Sequence, residues 1–326
     1  MLYQDKIYGP IEITEPVILE LLATPQMQRL KKIHQQGNYF IPFPEFNLTR
    51  FDHSLGVMLL LKRFKAPFAE QVAGLLHDLS HGPFSHVIDH LYNKTANQDH
   101  QDSIHLEYFG QEIKNILTKY DLNYQKTANL EKWPLLDNEL PDICADRLDY
   151  TLRDGECVGR IIQAEVEGIL SDLIIEQGRF VFRSLAAALK FANLSYYLCR
   201  YVWHVEWGEA LFQMMAEVLK LALEDNLINE QDLQSGDDDS VLAKLQASTN
   251  PKLAQKLAEI KNLRKEKVVE DKVNYRYRLA TKNRVINPLV KINGAMVRVS
   301  EVDQDFKNKY ESEKIRVKQI FLKVLE

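Results

Sequence analysis

The stretch Ala73 to His90, AGLLHDLSHGPFSHVIDH, constrains this chain more than any other, because it sets four histidines and two aspartates behind a short apolar run. His77 and Asp78 are adjacent, and His81, His86, Asp89 and His90 follow within thirteen residues of His77. The run Val72 to Leu76 brings His77-Asp78 up at a helix end, and Gly82-Pro83 turns the chain before the next helix. Neighbouring helical residues point about 100° apart. The pair can therefore meet one ion only where the helix ends and both side chains swing inwards.

Two further residues complete a ligand set: His53 within Arg50-Phe51-Asp52-His53-Ser54, and Asp146 within Asp142-Ile143-Cys144-Ala145-Asp146-Arg147. Two neutral imidazoles and two carboxylates form a mixed nitrogen and oxygen site without thiolate. Such a site suits a borderline divalent ion, Mn, Fe, Zn, Co or Ni. The three cysteines, Cys144, Cys157 and Cys199, lie far apart with no CxxC spacing, so they indicate neither a disulfide framework nor a zinc ribbon. They are expected to be reduced core residues, with Cys144 near enough to Asp146 to be considered at the rim of the site.

The 326 residues suffice for one large helical domain and a smaller appendage. No run approaches the roughly 18 apolar residues of a membrane span, and the start, MLYQDKIYGPIEI, has no basic and apolar leader pattern. A cytoplasmic protein is expected. Net charge is -5, yet from Pro251 onward there are 19 Lys and Arg against 10 Asp and Glu. A basic end on an acidic body fits self-association, contact with phosphates, or a solvated Lys-rich helix face.

Residues 3–13 read as a hairpin turning at Gly9-Pro10, and Thr24-Pro25 as an N-cap with proline at the first helical position. Helices are expected near 26–35, 52–64, 67–78, 84–93, 100–119, 139–153 and 159–171, then as one long run over 186–225. Residues 179–182 read as a strand, and 235–240 as a polar, acidic loop. Helices near 240–247 and 251–263, a β-branched region over 273–299 and a charged helix over 303–325 complete the chain. The expected organisation is a domain over 1–230 and an α+β appendage over 241–326.

Five ordered blocks carry a resemblance: Asp5-x-Ile-x-Gly-x-Ile-Glu, Thr24-Pro-x-x-Gln-Arg-Leu, Arg50-Phe-x-His-Ser-Leu-Gly, His77-Asp-Leu-x-His-Gly-Pro-Phe-Ser-His and Asp146-x-x-Asp-Tyr-x-x-Arg-Asp. Together they resemble the HD-domain metal phosphohydrolases, and within them the deoxynucleoside triphosphate triphosphohydrolases (dNTPases, dGTPase-like). The resemblance implies a mainly α, HD-domain helical fold with a short N-terminal β-hairpin and a small mixed α/β C-terminal region. It implies metal binding by His53, His77, Asp78 and Asp146, with Mg accompanying the substrate phosphates. In that family a metal-activated water attacks the α-phosphorus, releasing nucleoside and inorganic triphosphate.

The resemblance further makes His86 the general acid, Asp89 its orienter, and His81, His100, Arg50 and Arg147 phosphate contacts. Tyr150 and Asp154 would meet the deoxyribose, and Gln35 the 3′-hydroxyl. Tyr150 packed on C2′ would leave no room for a ribose hydroxyl. Ser80 and Asp102 stand where the family commonly has glycine, and Arg147 where it often has lysine. Asp5 and Lys31 correspond to positions at which activated relatives bind a regulatory GTP or dNTP, and a homo-oligomer is implied. His34, His90, His105 and His204 read as structural, and the aromatic segment 191–207 as core. Two other functions stay open: an HD phosphohydrolase of nucleoside monophosphates or cyclic nucleotides, and a nucleotide- or nucleic-acid-binding regulator without turnover.

Overall fold

A computed structural model describes residues 1–92, 105–280, 284–316 and 319–325. His100 and Asp102 lie outside them. The N-terminal hairpin pairs β1 (Leu2–Asp5) with β2 (Gly9–Glu12) in antiparallel register, Asp5 opposite Gly9. Its turn is therefore residues 6–8 rather than Gly9-Pro10. Asp5 builds it by accepting the amides of Ile7 and Tyr8 at 2.7 and 2.9 Å, and Gly9 leaves it at φ +79°, a conformation that favours glycine.

Helices follow as α1 (Pro16–Ala23), α2 (Pro25–Arg29), α3 (Arg50–Arg63), α4 (Phe68–Leu76), α5 (Val87–Leu91), α6 (Gly110–Lys119), α7 (Tyr124–Ala128), α8 (Ala145–Cys157) and α9 (Gln163–Asp172). Thr24 caps α2 with its hydroxyl, and Thr49 caps α3 the same way. The second helix is shorter than its pattern suggests, passing into a 3-10 turn over Leu30–Lys32. Residues 139–144 are not helical: α8 starts only at Ala145. Leu21, Leu55, Leu75 and Leu117 join α1, α3, α4 and α6 in one buried cluster. At about 2 kcal/mol per buried leucine side chain, such contacts fix the angle at which α3 and the end of α4 meet.

The run 186–225 is two helices, α10 (Leu185–Leu198) and α11 (Glu206–Glu224), joined by a π-turn over Cys199–Trp203. Arg316 stabilises the break by donating to the carbonyls of Cys199 and His204, both at 3.2 Å. Then come α12 (Glu230–Ser235), α13 (Asp238–Gln246), α14 (Pro251–Lys261), α15 (Val299–Val302) and α16 (Gln304–Arg316). β3 (Leu173–Glu176), β4 (Arg179–Phe182), β7 (Leu289–Ile292) and β8 (Ala295–Arg298) form one sheet in that order, with β4 and β7 parallel. β5 (Val268–Glu270), β9 (Ile320–Val324) and β6 (Tyr277–Leu279) form another, so the final charged helix stops at Arg316 and a strand follows.

The mainly helical fold with its small hairpin and C-terminal sheets agrees with the expected class. Cations of the C-terminal third meet acids of the body: Lys256 with Glu217 at 2.5 Å, Lys291 with Glu176 at 2.7 Å, and Arg298 with Asp142. The uneven charge along the sequence is thus partly neutralised in space. Among the described residues no helix is long and apolar enough to cross a membrane.

Candidate active site

His77 is the C-cap of α4, so the chain leaves the helix at the His77-Asp78 pair, as the one-ion geometry requires. His53 reaches the same point from the first turns of α3, and Asp146 from the first turn of α8. The Nε2 atoms of His53 and His77 lie 3.3 Å apart. Asp146 Oδ1 is 2.9 Å from the former and 3.6 Å from the latter; Asp78 Oδ1 is 3.5 Å from His77 Nε2, and its Oδ2 is 3.9 Å from His53 Nε2.

Both imidazoles are oriented from behind. His53 Nδ1 faces Asp149 Oδ2 at 2.7 Å and His77 Nδ1 faces the Gly74 carbonyl at 2.8 Å, so each presents Nε2 to the cluster. Asp149 is fully buried and receives Tyr8 Oη (2.7 Å) and the Arg153 guanidinium (2.9 Å), which also reaches Asp5 at 3.1 Å. Asp5 therefore serves the hairpin and this buried chain of charges. Lys31 is exposed, donating to Gln28.

The electrostatics suit a cation. Burial opposes charge on His53, yet the carboxylates of Asp146 and Asp149 override it and lift its pKa to about 10. His77 is raised for the same kind of reason, by Asp78 and Asp146 against burial. Burial would raise Asp78 and Asp146, but Arg50 with His77 and His81 for the former, and His53 with His77 for the latter, hold both well below the carboxylate range. The two Nε2 atoms and Asp146 form a group that could hold a divalent metal, with the carboxylate of Asp78 beside it.

Arg50 is held by its Nη1 on Asp78 Oδ2 (2.8 Å) and its Nε on the Ser85 hydroxyl (3.0 Å). Phe84 and Ser85 adopt left-handed φ of 59° and 49°, costing about 1–3 kcal/mol each for side-chain-bearing residues. Asp238 offsets that cost: its fully buried carboxylate accepts the Phe84 amide at 2.6 Å and the His34 amide at 2.9 Å. Residues 235–240 are thus not simply a solvated loop. Asp238 opens α13 and ties it to the loop that carries His86.

The cluster of His53, His77, Asp78 and Asp146 opens into a cavity of about 170 Å³, lined also by Gln35, Arg50, His81, His86, Tyr150 and Asp154. His81 Nε2 is 3.3 Å from Asp78 Oδ1, and His86 Nδ1 is 3.1 Å from Asp89 Oδ2. Burial, with Arg284 and Arg50 nearby and only Asp89 opposing, drives His86 down to about 3. Arg147 does not line this cavity. Its guanidinium turns to Asn138 Oδ1 (2.6 Å), the Asp142 carbonyl (3.2 Å) and Asp137 (3.4 Å), acceptors of the non-helical loop before α8. Cys144 is buried beside it and does not line the cavity either.

Sequence reading gave no role in the site to Asp149, Gln36, Trp203 or Arg284, although Lys282-Asn283-Arg284 resembles a basic segment of some HD relatives. Asp149 had a signal, standing three residues after Asp146 and so near it on the same helix. Trp203 was assigned to the core, yet its indole N–H donates to Asp154 Oδ2 at 2.7 Å, while Gln36 Nε2 donates to Oδ1.

Burial raises Asp154 to about 6, with Trp203 opposing. The folded chain therefore holds a proton that the unfolded chain releases at about pH 4, and stability falls as pH rises from about 4 to 6. Asp154→Asn removes that penalty. Its carbonyl can still accept from Trp203, and its amide can donate to Gln36 Oε1, a buried oxygen without a hydrogen-bond partner among the described residues. Urea unfolding should show the variant more stable by about 2 kcal/mol at pH 7.5, with the gain vanishing near pH 4.

The HD-domain family model matches residues 50–154. YdhJ of Bacillus subtilis, itself uncharacterized, is 33% identical over 324 residues, covering 99% of this chain and 98% of that protein. The Dictyostelium discoideum homolog of the deoxynucleoside triphosphate triphosphohydrolase SAMHD1 is 26% identical over 297 residues, 80% of this chain and 57% of that protein. The chain belongs to the HD-domain family. As an HD-domain enzyme it is a metal-dependent phosphohydrolase. The metal-dependent phosphohydrolase cns2 of Cordyceps militaris is 37% identical over 174 residues, 53% of this chain and 50% of that protein. The chain thus spans only 50% of the Cordyceps protein and 57% of the Dictyostelium protein. A phosphohydrolase structure from Bacteroides thetaiotaomicron superposes along the full length of both chains with a TM-score of 0.74 at 18% identity, a likeness of fold.

Proposed function

We propose that this HD enzyme is a dNTP triphosphohydrolase. The observation that carries the reading is one cavity holding two kinds of group side by side: a metal cluster with Arg50 and His86, and the sugar-type partners Tyr150, Asp154 and Gln35. His53, His77, Asp78 and Asp146 would hold a divalent ion, which would supply Lewis acidity at a phosphoryl oxygen and lower the pKa of water. Arg50, already fixed by Asp78 and Ser85, offers its remaining N–H groups to the phosphate oxygens that gain charge. Water forms the new bond to the α-phosphorus as the bond to the 5′ oxygen breaks. His86, oriented by Asp89, hands a proton from Nε2 to that oxygen; an anionic substrate between the neighbouring arginines raises the His86 pKa towards the range this needs.

At the other end, the Gln35 amide oxygen is buried with no hydrogen-bond partner among the described residues and suits a 3′-hydroxyl donor. Tyr150 stands edge-on to Trp203, ring centroids 5.0 Å apart, as the wall against C2′. The second reading is an HD phosphohydrolase of nucleoside monophosphates or cyclic nucleotides, which would use the same residues. One assay separates the readings. Protein loaded with Mn is incubated with each dNTP singly, with mixtures including GTP, and with the monophosphates, and products are separated by ion exchange. Nucleoside and inorganic triphosphate are expected; turnover of monophosphates alone would replace the proposal with the second reading. Activity only in mixtures would mark a regulatory nucleotide.

A further inference from the structure

Arg284 comes from the C-terminal third, far along the chain from every motif of the HD site, yet it lines the same cavity. The segment after it is firmly seated. Val285, Ile286 and Asn287 are buried; the Asn287 amide donates to the Pro141 carbonyl at 2.9 Å, and its side chain accepts the Ser300 amide at 3.1 Å. The chain then enters β7, which pairs with β4 in the shared sheet. A cation delivered from so anchored a segment has a defined place.

That place is beside the proton-transfer group. Arg284 Nη2 is 3.4 Å from His86 Nε2. A guanidinium only donates, so Nε2 is the acceptor here and the Nδ1 hydrogen points to Asp89. Among the described residues Arg50 is the cavity's other guanidinium, and Arg147, which the family resemblance makes a second phosphate contact, is occupied with the loop before α8. Both cavity arginines act on His86 and push its charged form away, an arrangement that a bound anion relieves.

We propose that Arg284 is a substrate-binding residue supplied by the C-terminal region, gripping phosphate oxygens so that the phosphoryl group lies between two guanidiniums with His86 Nε2 alongside. This rests on the reading that the cavity receives the phosphates of a nucleotide. It makes the site composite: the C-terminal region completes it instead of merely covering it. The planar fork matters, because two parallel N–H donors fit phosphate oxygens and a lysine ammonium does not reproduce them.

The test uses the full chain loaded with metal, as wild type, Arg284→Ala and Arg284→Lys. Binding of inorganic triphosphate and of orthophosphate is measured by calorimetry, together with metal content, and KM and kcat on whichever nucleotide is turned over. Arg284→Ala should weaken anion binding roughly 10- to 100-fold at unchanged metal content, with KM rising in parallel. Arg284→Lys should fall between, and added guanidinium ion should partly restore Arg284→Ala. Because neither anion carries a nucleoside, the result stands even where the product assay rejects the dNTP reading. Anion affinity within twofold of wild type in both variants would overturn the proposal, as would a wild-type protein that binds neither anion. Should Arg284→Ala fail to fold, an Arg284→Lys variant with full metal content and unchanged anion affinity would overturn it as well.

Discussion

His77→Ala is expected to release the metal and lower hydrolysis by about a thousandfold or more, since the ion supplies several kcal/mol of charge stabilisation. The residue has no substitute: its Nε2 sits 3.3 Å from that of His53, and Nδ1 is already committed to the Gly74 carbonyl. Metal content by mass spectrometry and turnover with added Mn should fall together, with the helical circular dichroism retained. Protons compete for the same atoms. In the metal-free protein His53 is lifted to about 10 by Asp146 and Asp149 in spite of burial, so it is protonated at neutral pH and must lose that proton to bind an ion. Apparent metal affinity should therefore rise with pH from 6 to 9. An affinity independent of pH would contradict this electrostatic account.

Gly56→Ala is expected to be the most damaging small change away from the ligands. A methyl group there would stand 2.0 Å from Asp149 Oδ1 and 2.2 Å from Arg153 Nη2, atoms of a fully buried ion pair. Neither can retreat towards solvent, and displacing the pair costs on the order of 3–5 kcal/mol. Thermal unfolding should fall by roughly 10 °C. Metal affinity should also fall by about 10- to 100-fold, because Asp149 orients His53. Gly168→Ala is the control: it lies exposed in α9 with nothing within 4 Å, and gains up to about 1 kcal/mol from helix propensity. Equal melting of the two variants would show that the buried pair does not fix the packing of α3 on α8.

The ligand cluster was legible because metal chemistry needs particular residue types at a helix end, and Ala73 to His90 displays both. What escaped depends on contacts between distant segments. Nothing in Asp237-Asp238-Asp239 distinguishes the middle carboxylate, yet it alone is buried, because the amides of Phe84 and His34 are waiting for it. The positive charge of Arg147 was visible; its capture by acceptors at 137–142 was not. The aromatic run 186–225 shows helical apolar spacing throughout, and its break depends on Arg316 reaching back to the carbonyls at 199 and 204. Ile320-Phe321-Leu322 did carry a signal, a short apolar run next to Val324 that suits a strand, which the charged residues before it masked.

The most direct test of the phosphohydrolase account is hydrolysis of a dNTP by the metal-loaded protein in water enriched in oxygen-18, with products separated and weighed by mass spectrometry. Attack at the α-phosphorus with His86 protonating the 5′ oxygen predicts one heavy oxygen in inorganic triphosphate and none in the deoxynucleoside. Label in the deoxynucleoside, or in orthophosphate or a nucleotide from cleavage elsewhere along the phosphate chain, would contradict it.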